Sequence, residues 1–392
     1  MFRKIDLSII VAAFTIAILG LVMIFSTAGF NYLLKQFLWL ILALVVGYVF
    51  SAISPRVWAN LSPFIYIGLI GLLIAVIVAA PSYPHRWFKF GEVSIQPSEF
   101  AKFATLLLLA NYLAGRKQLD RFVDIIIPLL ITSIPAALVF IEPDLGAAQI
   151  FFPILIVMLY WSGMPGVKIF IFFSPIISAI ASFSIYIWIG YIVILGVFLF
   201  YRKKLSDLVY GLVCNPIAGL MTPVIWSQLK PYQQKRVIAF LSPWLDPHGM
   251  SWQVIQSKIA IGSGRLFGKG FLSGTQKKFE FLPERHTDFI FSCIGEEFGL
   301  LGIVVILGLY TFLLYRIIIL ARAAKNKFSS VFAIGVLGWF GYQAFINTAM
   351  TMGLIPITGV PLPFISYGGS ALLSCFMAIG VLLSVSKSKL EY

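Results

Sequence analysis

Apolar runs of roughly 15 to 25 residues, parted by short polar breaks, recur along the whole chain. Their lengths approach or exceed the ~18 residues that a helix needs to cross a bilayer. None alternates polar and apolar side chains, as the strands of a membrane barrel do. Backbone groups inside a bilayer must be satisfied internally, so the pattern predicts an all-α, polytopic transmembrane helical bundle. Candidate spans fall at roughly 7–26, 34–53, 60–80, 99–114, 124–141, 147–163, 167–183, 186–201, 208–227, 289–315, 330–352 and 365–386. One helix across 167–201 would be 35 residues long and exceed about 50 Å. A hairpin turning near Ser182–Ser184 is therefore expected there. Residues 1–392 read as one integral membrane domain, because the longest polar segment, 228–288, lacks the apolar content for a core of its own.

Charge orients this bundle. The chain carries 29 Lys and Arg against 15 Asp and Glu, a net charge of +14, and is 60% hydrophobic. The basic excess sits in short loops, so it marks the cytoplasmic side and not nucleic-acid binding. Some of it could also meet anionic lipid head groups. With Arg3 and Lys4 inside, twelve spans also place Arg116, Lys117, Arg121, Lys168, Arg202, Lys203, Lys204, Arg316, Arg322, Lys325, Lys327, Lys387 and Lys389 inside. Both termini are then cytoplasmic. The apolar run from Leu7 to Phe25 is longer than that of a usual signal peptide and reads as a retained helix. Cys214, Cys293 and Cys375 all lie in apolar segments with no Cys-x-x-Cys, which argues against a disulfide framework or zinc site. No strand, Gly-rich loop and helix follow one another, so no soluble-type nucleotide site is expected.

Four polar segments then face outward: 81–98, 142–146, 228–288 and 353–369. Ionisable residues crowd 256–299 above all, and an ionisable cluster at a membrane boundary suggests a functional site. Asp288 stands where this loop meets the next apolar run, flanked by Glu284, Arg285 and His286. It could simply favour a helix N-terminus; the surrounding charge favours a functional carboxylate. Glu99 and Lys102 lie three residues apart on one helical face, either as a charge pair or with the cation placed for a phosphate. Glu142 and Asp144 flank Pro143 in a turn that is either solvated and capped or part of the site's mouth. Glycines and cations at 262–270, including Lys269, could approach phosphate oxygens or form a flexible loop. Glu296 and Glu297, about two turns into the next helix, require a buried partner. The Pro- and Gly-rich 353–370 region, with Ser366, breaks the last apolar stretch and suggests a cavity wall.

Taken together, these strings resemble the shape, elongation, division and sporulation (SEDS) family of membrane glycosyltransferases. The matching residues are Trp87 with Gln96–Lys102, Glu142–Gly146, Gln256–Gly264, Gly268–Gly270, Leu282–Phe291, Gly295–Gly299 and Pro361–Ser370. They cover nearly the whole chain, and Lys258 with 358–363 favours the elongation type over the division type. Two departures stand out. The family usually has ten spans, so a hairpin is inserted within 167–201, and Arg265 occupies a position where the family usually has glycine.

The resemblance implies peptidoglycan polymerisation: lipid II as acceptor and an undecaprenyl-pyrophosphate-linked glycan as donor. It further implies a class B penicillin-binding protein as transpeptidase partner, a bacterial inner-membrane location, and Asp288 as the catalytic aspartate on the outer face. Arg86, Trp87, Glu99, Lys102, Glu142, Asp144, Lys258, Lys269, Glu284, Arg285, His286 and Ser366 are the expected substrate-binding residues. Inverting displacement of a pyrophosphate needs one general base and charge stabilisation at the leaving group. Asp288 suits the base. Arg86, Lys102, Lys258, Lys269 or Arg285 would meet the pyrophosphate, and a divalent cation (Mg2+ or Mn2+) could assist, although no sequence feature specifies its cage. Two rival readings are a lipid II flippase, which would also need a polar cavity and broken helices, and a non-catalytic scaffold for the transpeptidase.

Overall fold

The apolar runs fold as helices, and the loops between them are short enough to force neighbours into antiparallel contact. The computed structural model describes residues 6–79, 86–91, 93–202, 204–229, 250–275 and 284–388, with 233, 234, 238 and 240. Arg3, Lys4, His85, Lys203, Lys389 and the large-loop segments 241–249 and 276–283 lie outside the described residues. In chain order the helices begin with α1 (Leu7–Ala28), α2 (Phe30–Ala52) and α3 (Pro55–Ala79). A two-stranded antiparallel hairpin of β1 (Phe88–Phe90) and β2 (Val93–Ile95) then pairs Phe88 with Ile95. There follow α4 (Pro97–Ala114), α5 (Val123–Ile141), the one-turn α6 (Leu145–Ala148) and α7 (Phe151–Trp161). Next come α8 (Gly166–Ala181), α9 (Ile185–Arg202), α10 (Leu205–Gln228) and α11 (Met250–Ser263). The chain continues as α12 (Ile290–Ala323), α13 (Lys327–Thr351) and α14 (Gly369–Ser388).

Among the described residues, nine helices are long and apolar enough to cross a membrane. Two shorter apolar stretches, Leu145–Trp161 and Gly166–Ala181, accompany them. The helix α4 carries Glu99 and Lys102 within its length. The surface of the bundle is apolar, with Phe64, Val78, Tyr186 and Phe200 among its most exposed side chains. Such a surface belongs against lipid and not water. The protein is thus a multi-pass membrane protein.

Close helix approach explains the inner layer. On α2 and α14, a Cβ placed on Gly380 would lie 2.4 Å from the Gly47 carbonyl oxygen. Small residues let these backbones touch, the usual means of helix packing without a hydrophobic driving force. The buried core runs through α1, α4, α7, α12, α13 and α14, with Trp339 and Phe340 at its centre.

The predicted hairpin at 167–201 is present. The chain reverses at residues 182–184, between α8 and α9. Trp188 Nε1 donates to Ser178 Oγ (2.9 Å) and the Tyr191 hydroxyl to the Ser174 carbonyl (3.0 Å), the pairing of antiparallel neighbours. From α10, Asn215 Nδ2 donates to Ser174 Oγ at 2.9 Å, so the three helices share one buried polar seam. Polar side chains that satisfy each other are a form of helix–helix glue within lipid.

Opposite ends of the bundle differ in chemistry. At one rim Arg316 pairs with Asp6 (2.7 Å), Lys168 with Asp120 (2.9 Å), and Lys387 donates to the Ser51 carbonyl (3.0 Å). At the other rim Arg285 Nε donates to the Thr27 carbonyl (2.9 Å), at the far end of α1. Helix α1 therefore runs from the basic rim to the rim that gathers 86–99, 142–146, 284–288 and 358–370.

Candidate active site

The rim opposite the Arg316–Asp6 pair is assembled from segments far apart in sequence. Asp144 caps α6 by accepting from Ala147 N (3.0 Å), and its other oxygen accepts from Gln96 Nε2 (3.0 Å). Gln96 N in turn donates to Ser370 Oγ at 3.0 Å. The turn after Asp144 then presses on the 358–360 loop. A Cβ on Gly146 would lie 2.4 Å from the Thr358 carbonyl oxygen, so only glycine fits. On the far side of that loop, a Cβ on Gly359 would stand 3.3 Å from Asp288 Oδ2. Gly359 also has a φ of +69°, where a side chain is strained.

Asp288 is half-buried and held through its backbone. Glu284, at φ +53°, starts a wound turn whose carbonyl accepts from Thr287 N, Asp288 N and Phe289 N at 3.2, 3.1 and 3.3 Å. Helix α12 begins only at Ile290, with Phe289 in the capping position. Asp288 therefore neither begins nor caps the helix, a correction to the sequence expectation. The turn runs one residue, Phe289, beyond the end of the charged run before the helix begins. Asn347 Nδ2 bridges the Asp288 carbonyl (2.9 Å) and the Val360 carbonyl (2.8 Å). Ser366 Oγ donates to the Thr287 carbonyl (2.6 Å) and accepts from Leu362 N (2.8 Å). Helix α13 and the segment after it are thus tied to the residues around Asp288.

Arg86 Nε donates to the Glu142 carbonyl (2.9 Å), and its Nη2 donates to the Pro143 carbonyl. The guanidinium also lies 5.9 Å from the centroid of the half-buried Trp87 ring. Glu142 is 1% exposed, and neither carboxyl oxygen has a hydrogen-bond partner. Burial, reinforced by Asp144, pushes its pKa up to about 8, against the lowering effect of Arg86. Glu142 is therefore largely protonated at neutral pH. Burial also lowers His286, with Arg285 adding to the effect and Glu284 opposing it.

The predicted cations are distributed unevenly. Lys102 has no exposed surface; its Nζ is 2.7 Å from Glu99 Oε2 and 5.2 Å from the Trp339 ring centroid. It is enclosed and paired, which is the charge-pair reading of the i,i+3 spacing and not the one that presents the cation to a phosphate. Helix α4 starts at Pro97, so Lys102 already lies in its second turn, on a face covered by α13. Lys269 Nζ donates to Glu296 Oε1 and Thr275 Oγ1, both at 2.8 Å, and so clamps the loop. Arg285 is tied to α1. Lys258, on α11, is exposed and passes over Gly353, where an added Cβ would meet its Cε at 2.2 Å. Glu284 is exposed and accepts from Thr287 Oγ1 at 3.1 Å.

The 262–270 loop is built into α12 and is not a free phosphate loop. The helix breaks at Gly299 (φ 65°, ψ −157°). The carbonyls of Glu296 and Glu297 accept instead from Lys269 N (2.9 Å) and Gly270 N (3.0 Å). Leu300 N and Leu301 N turn to the carbonyls of Arg265 (2.9 Å) and Leu266 (3.2 Å). Backbone groups freed by the break are thus satisfied by the loop, as they must be at membrane depth. A Cβ on Gly264 would lie 1.9 Å from the Gly295 carbonyl oxygen. Arg265, the departure from the family's glycine, adopts φ +51°. Asn347 was not singled out by sequence reasoning; a buried amide within an apolar helix is the signal that could have found it. Among the described residues, no group of three or more His, Cys, Asp or Glu comes together as a metal-ligand set.

The fold and this rim define a multi-pass membrane protein with a polar site at one end of its bundle. The sequence model of the FtsW/RodA/SpoVE family, described as a cell cycle protein, matches residues 6–193 and 186–391. The two matches meet inside α9, part of the segment read as an inserted hairpin. The chain is 34% identical over 393 residues to the peptidoglycan glycosyltransferase RodA of Treponema pallidum, covering 91% of this chain and 90% of that protein. It is 36% identical over 347 residues to the peptidoglycan glycosyltransferase MrdB of Escherichia coli K12, covering 88% of this chain and 82% of that protein. The crystal structure of Thermus thermophilus RodA superposes with a TM-score of 0.67 at 26% identity, over 100% of this chain and 99% of that one. A chain of a peptidoglycan synthase complex, studied for the coordination of polymerization and crosslinking, superposes with a TM-score of 0.75 at 28% identity, over 99% of both. The chain belongs to the FtsW/RodA/SpoVE family as a peptidoglycan glycosyltransferase of cell elongation.

Proposed function

We propose that this protein polymerises lipid II at the outer face of a bacterial cytoplasmic membrane, with Asp288 as general base. The carrying observation is the convergence on Asp288: Asn347 holds its carbonyl, Ser366 holds that of Thr287, and the backbone of Gly359 passes close to its Oδ2. Groups this firmly positioned can hold a carboxylate against an acceptor hydroxyl without reorganising. The acceptor oxygen attacks the anomeric carbon of the donor, its proton passes to Asp288, and the bond to the undecaprenyl pyrophosphate breaks with inversion. Lys258 and Arg86, on separate segments, are the cations best placed for the leaving pyrophosphate. A single cation would leave much of that charge uncompensated. A divalent cation, if used, would take ligands from the pyrophosphate as well as from acids such as Asp288 or Asp144.

The basic rim, with Lys168, Arg316 and Lys387, is the cytoplasmic one in this reading, and twelve spans place both termini there. A class B penicillin-binding protein is the proposed partner; the likeness to a synthase-complex chain supports it. Purified protein given labelled lipid II in detergent tests the function. Polymer from the wild type, together with a loss of about 10²–10⁴ in rate for Asp288→Asn and retained lipid II binding, is expected. Near wild-type polymer from Asp288→Asn would eliminate the base assignment. No polymer from a folded wild type would favour the flippase or scaffold readings.

A further inference from the structure

Beside Asp288 stand three aromatic rings to which the reaction as described gives no task. Tyr32, at the start of α2, has its ring centroid 5.0 Å from that of His286 and 5.1 Å from that of Tyr367. His286 and Tyr367 are 5.6 Å apart, which closes the triangle. The ring planes are mutually inclined by 55°, 73° and 62°, so the cluster is not a flat stack. Its position is fixed by backbone: Tyr367 N donates to the His286 carbonyl (2.9 Å), and the neighbouring Ser366 ties to Thr287. The cluster is nevertheless not enclosed. Tyr32 is 40% exposed, and His286 and Tyr367 are half-buried.

We propose that Tyr32, His286 and Tyr367 form a carbohydrate-stacking wall that seats the acceptor's amino-sugar ring next to Asp288. The inference rests on the glycosyltransfer reading and deepens it. A pyranose whose substituents are equatorial presents axial C–H groups on its faces. Those hydrogens are polarised by the ring oxygens, and an aromatic face carries the complementary negative quadrupole. A pyrophosphate has no such affinity and would seek cations. The cluster joins the acid along the chain through His286, two residues before Asp288; Lys35 and Arg285 border it, while Arg86 and Lys258 lie on other segments. A sugar held against the wall has its orientation restricted where its hydroxyl must meet the base.

The test uses purified full-length protein and compares lipid II, as polymerisation substrate, with undecaprenyl pyrophosphate, as a competitor that lacks the sugar. An aromatic contact is worth about 0.5–1.5 kcal/mol, or roughly 2- to 12-fold. Tyr32→Leu is expected to raise KM for lipid II by about that factor, with a smaller fall in kcat and unchanged inhibition by undecaprenyl pyrophosphate. Tyr32→Phe restores the ring and is expected to recover the wild-type KM. Tyr367→Leu, whose backbone hydrogen bond survives substitution, repeats the test should Tyr32→Leu not fold. An unchanged KM in the leucine variants overturns the proposal. So does equal weakening of undecaprenyl pyrophosphate, which would make the rings an interfacial lipid anchor. Failure of both leucine variants to fold would make the cluster structural and overturn it as well. Absence of polymer from the folded wild type would instead sink the glycosyltransfer reading on which the wall rests.

Discussion

Removing one partner of the Glu99–Lys102 pair should cost more stability than removing both. The groups sit 2.7 Å apart, with side-chain exposures of 6% and 0%. At an effective dielectric of about 20, two unit charges at that distance attract by about 6 kcal/mol. Desolvation offsets that by several kcal/mol per ion, so the intact pair is near break-even against an apolar replacement. Lys102→Ala leaves a buried carboxylate without its cation and opens a void beside Trp339; a loss of about 3–5 kcal/mol is expected. Glu99→Gln strands the ammonium at comparable cost. The double variant Glu99→Gln/Lys102→Met removes both charges while keeping volume, and should recover about 2–3 kcal/mol relative to the sum of the single variants. Intrinsic tryptophan fluorescence during denaturant unfolding in a fixed detergent reads all four proteins. Strict additivity, or single variants within about 0.5 kcal/mol of wild type, would refute the reasoning. In that case Lys102 would have to be solvated in the working protein and available to a phosphate. Loss of activity in Lys102→Ala is therefore informative only alongside its stability.

Burial holds the Glu142 pKa at about 8 against an ordinary value of 4.5, so the folded state binds a proton that the unfolded state has released. Stability should be fully present below pH 4.5 and fall as pH rises through that window, by up to about 5 kcal/mol, and Glu142→Gln should flatten the profile. A pH slope unchanged in Glu142→Gln would assign it to other groups. Gly264→Ala places a Cβ 1.9 Å from the Gly295 carbonyl oxygen and should part the loop from α12, read as faster amide exchange at 265–270 and reduced polymerisation. Unaltered exchange would show that the backbone yields at no cost. Arg265→Gly relieves a left-handed residue and should stabilise the protein by up to about 1 kcal/mol; a loss of stability would mean that the arginine side chain holds something there.

The sequence conveyed the bundle more completely than the site, and the reason is physical. A membrane span is a local property, about 20 apolar residues in a row. Even the hairpin at 167–201 could be read from length alone, because 35 residues cannot stay in one bilayer as a single upright helix. Its polar seam, Ser174 and Ser178 against Trp188, Tyr191 and Asn215, was not legible. Which serines face which helix depends on rotation about the helix axis, and a stretch apolar on all sides does not reveal that.

The site shows the same division between residue identity and residue task. The polar strings that converge at the rim were legible because ionisable groups are scarce in this chain and stand out. Their partners were not. The i,i+3 spacing offered Glu99 as one reading of Lys102, and the structure adopts it in the interior, whereas Lys269 read as a phosphate cation or part of a flexible loop and holds Glu296. A cation's task depends on whether an acid reaches it first, which is a matter of tertiary packing. Glycine carried the more dependable signal. Gly146, Gly264 and Gly359 each mark a place where one backbone touches another segment, and together they link the 142–146 turn, the 262–270 loop and the 353–369 loop to the chain around Asp288 and α12. In a protein whose polar groups are rationed, these backbone contacts position the rim together with the side-chain ties of Asn347, Ser366 and Asp144.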